Sequence, residues 1–471
     1  MEIFKNNKKF IFFIGFYLLV HALIRLVISD TIQVDDREQI IFAQELLLGY
    51  QMPQPPLYSW ASWFLFQIFG TGLFALTLLK YLLILLTFFV IWKIGRITFE
   101  NDQLAQLLLM SFLLMPSFFW HMHQGFTHTI LLSLGIVLSI FAFLKLNIER
   151  TFYNYIFFGI AISIGLLGKY SYLIFLIIFT LAGLSSKYYR HNILNWKILI
   201  SLLVIIVIAG PHLYWLLNHF NEIYPEINNR LNISNENQNI LLTQIKIFTN
   251  YIGFIFPLIV FFIAPIFKTK ITEISNHKNL IFIRFIFVAL VLSIILPIFF
   301  DIPHIKVRWL HPIMMMFPFF AISLINEKWI TSVSRRWFTY TLITLSIFVV
   351  LIRISQPSLG PKLGFYPRLS TPIVETIKKI PTEEIRNAQI YTDNINLLAH
   401  LIVWLPENKI LYENKIFNDQ PKENSSICIE MKDTTLNFPL ENNKDSSYKV
   451  YETVFGQKIY RISTRRMTNC Q

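Results

Sequence analysis

The chain has little charge, little cysteine and little glycine, and each shortage excludes something. Asp, Glu, Lys and Arg together make up 15% of 471 residues, against 54% apolar. That excludes an ordinary soluble domain, in which about a quarter of residues are charged. Only two cysteines occur, Cys428 and Cys470, so the chain carries no thiolate metal framework and at most one disulfide. Sixteen glycines and twenty prolines are too few for a fibrous or disordered chain. What the sequence has instead are apolar runs near twenty residues long, the length a helix needs to cross a hydrocarbon core of about 30 Å. The net charge of +13 does not call for nucleic acid as a partner. The basic residues lie in short connections between apolar runs, where anionic lipid is the natural counter-charge.

Eleven spans are expected, near 10–29, 74–94, 104–122, 128–146, 153–168, 171–185, 197–217, 247–267, 280–300, 309–325 and 337–355. The fifth and sixth are short and read as a broken or tilted pair. With the basic start (Lys5, Lys8, Lys9) in the cytoplasm, the even-numbered connections are cytoplasmic too. They carry Lys93, Arg96, Lys145, Arg150, Lys187, Arg190, Lys197, Lys268, Lys270, Lys278, Lys328, Arg335 and Arg336. The opposite connections hold only Arg37, Lys169, Arg230, Lys246, Lys306 and Arg308. This bias predicts an N-in, C-out topology. Arg25 closes the first apolar run and no small-x-small cleavage site follows, so the start reads as an uncleaved anchor rather than a signal peptide.

The expected fold is therefore an all-α polytopic membrane body over 1–355 with a small extracytoplasmic α/β domain over 356–471. Strands are expected at Ala388–Tyr391, Lys409–Tyr412, Ser426–Met431, Tyr448–Glu452 and Gln457–Ile462, with a short helix at Asn394–Leu405. Within the body, 30–73 forms a long first external connection. Ile40, Ile41, Ala43, Leu46, Leu47 and Leu48 predict an amphipathic helix in the interface plane that Gly49 ends. Pro53, Pro55 and Pro56 then force an extended turn. Tyr58, Trp60, Trp63 and Phe64 give a second interfacial helix.

Several external residues carry chemistry. Asp35 and Asp36 stand at the outer end of the first span, where either one serves as an N-cap for the helix that follows. A cap needs only one acid, and two beside lipid suggest a second task. His121, His123 and His128 cluster in WHMHQGFTHT, a spacing that suits a metal only if the segment is extended, with no carboxylate beside it; His128 reads better as a hydrogen-bond donor to substrate. Lys169, in GLLGKYSY, interrupts two apolar spans at their external end, where a lysine can snorkel to the interface. Arg308, beside His304 and Lys306, has the guanidinium geometry that grips phosphate bidentately, and Arg25 lies close to the acids in sequence.

The run Asp35-Asp36, Gly49-Tyr50 and Pro55-Pro56-Leu57-Tyr58 resembles the bacterial branch of the protein-mannosyltransferase superfamily, which includes the lipid A aminoarabinose transferase-like enzymes of the C-type glycosyltransferases. The resemblance covers roughly 1–325. It implies sugar transfer from a polyprenyl-phosphate donor to an envelope glycolipid (lipid A or core saccharide) at the extracytoplasmic face of a bacterial inner membrane. Asp35 and Asp36 are then the catalytic acids, with Lys169, Arg308 and Arg25 on the donor phosphate and His128, Tyr50, Tyr58 and Gln54 on substrate. A single base predicts inversion. The scheme requires no cofactor and leaves room for a divalent metal. The chain departs from the pattern at Pro53-Gln54, where members carry an acid and a lysine, and at Thr127-His128-Thr129, where many carry Thr-Pro-Asp. The alternatives are a protein O-glycosyltransferase of the same fold and, in another class, a secondary transporter or flippase for a lipid-linked saccharide. The transporter would need ionisable groups on broken helices near the midplane.

Overall fold

The computed structural model describes residues 7–50, 54–231, 240–268, 277–299, 307–326, 332–385, 388–392, 394–408, 410–412, 426–435, 448–455 and 458–467. The expectations for Lys5, Pro53, Lys270, His304, Lys306, Lys328 and Cys470 fall outside them. Among the described residues the helices are α1 (Asn7–Ile28), α2 (Val34–Phe42), α3 (Leu57–Phe69), α4 (Leu73–Phe99), α5 (Asp102–Phe112), α6 (Pro116–Phe119), α7 (Thr127–Ile148), α8 (Phe152–Gly168), α9 (Tyr172–Ser185), α10 (Arg190–Ile193), α11 (Ile198–Asn218), α12 (Phe220–Leu231), α13 (Ile240–Lys268), α14 (Leu280–Phe299), α15 (His311–Met314), α16 (Phe317–Ser323), α17 (Ser332–Lys362), α18 (Ile373–Ile377), α19 (Thr382–Ile385) and α20 (Ile395–Trp404). Seven of these are long and apolar enough to cross a membrane, and α5 with the bent stretch after it makes an eighth. The remaining three expected spans correspond to shorter apolar helical segments, Phe152–Gly168, Tyr172–Ser185 and His311–Ser323.

Proline explains the interruptions. The expected span 104–122 is bent by 75° between Phe112 and Pro116. Met115 is extended, as a residue before proline prefers, and Pro116 starts a new helix at a position where its missing N–H costs nothing. Likewise 309–325 is divided into α15 and α16, each with proline in its first turn. Pro357 and Pro361 lie inside α17, which therefore runs past the boundary expected at 355.

The chain forms two compact units. The first comprises 1–18, 47–58 and 82–347. Its centre is α7, buried along most of its length and crossed closely by α8. A Cβ on Gly135 would lie 2.4 Å from the Cα of Gly165, so this crossing requires glycine, as close helix pairs in membranes commonly do. On α11, Leu199, Leu202, Leu203, Ile206 and Val207 are exposed; a face this apolar suits lipid rather than water.

The second unit comprises 19–46, 59–81 and 348–471. Its strands are β1 (Gln389–Thr392), β2 (Ile410–Tyr412), β3 (Ser426–Thr435), β4 (Tyr448–Phe455) and β5 (Lys458–Met467), each overlapping its expected segment. They form one sheet in the order β2-β1-β3-β5-β4. β1 runs parallel to β2 and β3, while β3, β5 and β4 are antiparallel. Ile390, Ile427, Ile429 and Ile462 point to a core shared with Ile373, Ile377, Leu397 and Leu401 of the helices. On β3, Ile427 and Ile429 lie two residues apart on the core face, the period a half-buried strand requires.

Candidate functional site

In the second unit the acids open α2. Asp35 and Asp36 are its second and third residues, and the N-cap is Gln33, whose side chain makes no cap bond. The capping role expected for the acids is therefore not realised. Asp36 instead accepts from Lys80 Nζ at 3.1 Å, with both side chains 3% exposed. Asp35 is half-buried. One turn along α2, the fully buried Gln39 accepts from Ser59 Oγ of α3 at 2.8 Å. Lys80 from α4 and Ser59 from α3 thus fix the roll of α2, and with it the direction of its first turn.

Three buried cations belong to this group. Arg25, near the end of α1, donates to the Ser29 and Thr31 carbonyls at 2.8 Å each, satisfying acceptors just past the helix end. Arg353 of α17 donates to His21 Nδ1 at 2.6 Å and reaches the Tyr81 hydroxyl at 3.4 Å. Like Lys80, which binds Asp36, each of them is hydrogen-bonded, as a buried charge must be to be tolerated. The sequence reading missed Lys80 and Arg353. The signal was present, since an ionisable residue within an apolar span is rarely incidental.

The tail fastens the same segment. Ser29 Oγ donates to Leu369 O at 2.7 Å and Thr31 Oγ1 to Thr371 O at 2.8 Å. The Ile32 N–H donates to His400 Nε2 at 3.0 Å, and Arg37 donates to the Asn396 side-chain oxygen. A backbone N–H only donates and a carbonyl only accepts. His400, whose Nδ1 lies 2.6 Å from Asn396 O, is therefore the neutral tautomer with its proton on Nδ1. Burial, first, and the Arg25 and Arg37 charges bring its pKa down to about 4, against the opposing bond to Asn396.

In the first unit a different set gathers. His128 Nδ1 donates to Gly168 O at 3.2 Å, and its ring lies 5.9 Å from that of Tyr58. Lys169 Nζ donates to Thr129 Oγ1 at 2.7 Å. Tyr170 donates to His212 Nε2 at 3.1 Å, while His212 Nδ1 donates to Leu48 O at 2.8 Å. Trp215, stacked between His212 and His219, occupies the place where a Cβ on Gly49 would be, 2.0 Å from its ring. Leu46, Leu47 and Leu48 are exposed and not helical, because α2 ends at Phe42; the amphipathic helix is shorter than the apolar spacing implied. Tyr58 is fully buried and Tyr50 nearly so, so both pack the protein rather than meet a ligand in this conformation. Gln54 is half-buried, and Arg308 is exposed on the turn Val307–Trp309. His123 Nε2 pairs with the Tyr17 hydroxyl at 3.0 Å, and His121 stacks on Phe126.

The chain is similar in sequence and in fold to known proteins. The family model described as dolichyl-phosphate-mannose-protein mannosyltransferase matches residues 53–215. The lipopolysaccharide core galacturonosyltransferase RgtB of Rhizobium johnstonii is 25% identical over 374 residues, 77% of this chain and 75% of the relative. RgtA of the same organism is 28% identical over 200 residues, 42% of this chain and 40% of RgtA. The crystal structure of ArnT from Cupriavidus metallidurans bound to undecaprenyl phosphate superposes with a TM-score of 0.62 at 11% identity, covering 96% of this chain and 97% of that one. The chain is a glycosyltransferase, and over nearly its whole length it has the fold of that ArnT. The apo form of the same ArnT gives a TM-score of 0.59 at 12% identity, so the fold likeness does not depend on the bound lipid. The glycosyltransferase is a multi-pass protein of the bacterial inner membrane.

Proposed function

We propose that this glycosyltransferase moves a sugar from a polyprenyl-phosphate donor to a lipopolysaccharide-type glycolipid, lipid A or core, at the extracytoplasmic face. The observation that carries the reading is the unequal burial of the two acids. Asp36 is buried and tied to Lys80, whereas Asp35 on the same turn is half-buried, and its greater exposure supports it as the carboxylate that receives a proton. In the step, Asp35 takes the acceptor hydroxyl proton as the acceptor oxygen bonds to the anomeric carbon. The bond from that carbon to the phosphate oxygen breaks, and polyprenyl phosphate leaves with the electron pair. One base on one face gives inversion.

The relatives support the two substrates. RgtA and RgtB are named for galacturonosyl transfer to lipopolysaccharide core, and the matched ArnT structure holds undecaprenyl phosphate. A polyprenyl phosphate galacturonate is therefore the first donor to test. Lys169 and Arg308 keep their proposed role toward the leaving phosphate on the chemistry of their side chains. Arg25 is the weaker candidate, since its guanidinium already serves two carbonyls. An N-in topology, with the start of α2 outside, follows from the basic connections.

The test joins mass spectrometry of envelope lipids, from cells with and without the protein, to an in vitro assay with synthetic polyprenyl phosphate galacturonate and rough lipopolysaccharide. Asp35→Asn should abolish transfer while protein level and detergent extraction stay normal; Arg308→Ala and Lys169→Ala should each weaken donor use. An active Asp35→Asn enzyme would remove the base from the scheme, and unchanged envelope lipids would remove the acceptor class.

A further inference from the structure

The helix that carries the acids starts without a side-chain cap. Gln33 occupies the N-cap position and leaves the first N–H groups of α2 without its help, an omission worth about 1 kcal/mol in an ordinary helix. The start of α2 is set from outside its own sequence. Four hydrogen bonds from Ser29, Thr31, Ile32 and Arg37 run to Leu369, Thr371, His400 and Asn396. Two of these acceptors lie one turn apart on α20, whose own start is well made: Asn394 caps it by accepting from the Asn396 and Leu397 amides.

His400 is central to the group. It is 1% exposed, its Nδ1–H is anchored on the Asn396 carbonyl, and its Nε2 lone pair receives the amide of Ile32, three residues before Asp35. Arg25 and Arg37 are the charged groups acting on it, and both favour the neutral ring. A neutral imidazole can accept the Ile32 N–H, and an imidazolium cannot.

We propose that His400 and Asn396 of the tail are positioning residues for the Asp35–Asp36 turn, so that the tail sets the catalytic geometry of the membrane enzyme. This rests on the reading of Asp35 as the base. Displacing a reacting group by about 1 Å costs on the order of a hundred-fold in rate. A loosened turn should therefore lower kcat more than it changes KM for the donor.

The experiment uses the full-length enzyme in lipid nanodiscs, with synthetic polyprenyl phosphate galacturonate as donor. His400→Leu keeps the bulk and removes the acceptor, whereas His400→Gln places an amide oxygen near the position of Nε2. The expected result is a kcat reduced about ten-fold or more in His400→Leu with donor KM little changed, and recovery of most of the activity in His400→Gln. Hydrogen exchange at the Ile32 amide should accelerate in the leucine variant and return toward normal in the glutamine variant. Unchanged exchange at Ile32 in His400→Leu would overturn the proposal, as would equal loss of kcat in both variants. Asp35→Asn is assayed in parallel. If it stays active while His400→Leu loses kcat and speeds Ile32 exchange, the positioning role stands and the base assignment alone falls.

Discussion

Replacing Lys80 and Asp36 separately and together tests the buried charge group most directly. At 3.1 Å and an effective dielectric near 20, the pair interacts by about 5 kcal/mol. Removing one partner of a buried pair typically costs about 3–5 kcal/mol, because a charge is left behind, while replacing both with apolar residues is often nearly neutral. The surroundings make the two single changes unequal. Besides Lys80, the buried arginines of this unit among the described residues are Arg25 and Arg353, so a carboxylate left without Lys80 still has opposite charge in its surroundings. A lysine left without Asp36 joins two buried arginines. Asp36→Leu should therefore be the more damaging change, near the top of that range, with Lys80→Met near the bottom. Adding Lys80→Met to Asp36→Leu should restore stability. Equilibrium unfolding of the purified variants in mixed micelles measures this, with activity left aside because Asp36 lies beside the proposed base. If the double variant is less stable than Asp36→Leu, or if the two changes add to within about 0.5 kcal/mol, the pair is not coupled as its geometry requires.

Acid should weaken the tail through His400. Its folded-state pKa of about 4 lies below the ordinary 6.5, so the unfolded chain takes the proton first. Its contribution is complete above pH 6.5 and is lost as pH falls to 4, about 3 kcal/mol in all; His400→Gln should flatten a stability–pH curve across that window, and an unchanged slope would refute the account. Gly49→Ala should destabilise by about 1–3 kcal/mol through overpacking against Trp215, with part of the loss recovered in thermal melts when Trp215→Leu is added; full stability in Gly49→Ala would mean the ring moves aside. Fusions of a reporter active only outside the cytoplasm should be silent after Asn326 and active after Pro361, and the reverse pattern would invert the proposed topology.

Local signals carried much of the fold. Strand positions in the tail follow from runs such as Ser-Ile-Cys-Ile at β3, where every second residue meets the core, and α20 announces itself through Asn394. Apolar length alone located the helices of the body. The same measure was blind to direction, because an apolar run reads alike whether the helix is straight or restarts. Pro116, Pro312 and Pro318 marked the restarts, but proline is tolerated often enough in membrane helices that its presence alone does not choose. The hydrogen bonds between the first connection and the tail were beyond reach for another reason. Ile32 and His400 are separated by 368 positions, and neither residue type in isolation implies the other.

The motif that suggested the family mixes two kinds of residue, which burial separates. Gly49 is a glycine because the Trp215 ring stands where a side chain would begin. Pro55, Pro56 and Tyr58 are buried, and Tyr50 is nearly so. Packing is sufficient reason for all of these. It is not sufficient for Asp35, since half-buried carboxylates are not needed to fill space, and the cap that would have explained it belongs to Gln33. Asp36 lies between the two kinds, buried like a packing residue but held by a lysine that itself has no business in an apolar helix without a counter-charge. The pair therefore divides its tasks: Lys80 and Asp36 hold the turn in one geometry, and that geometry presents Asp35. Under the proposed transfer, this division of tasks leaves Asp35, the less buried of the two acids, to take the proton of an acceptor hydroxyl.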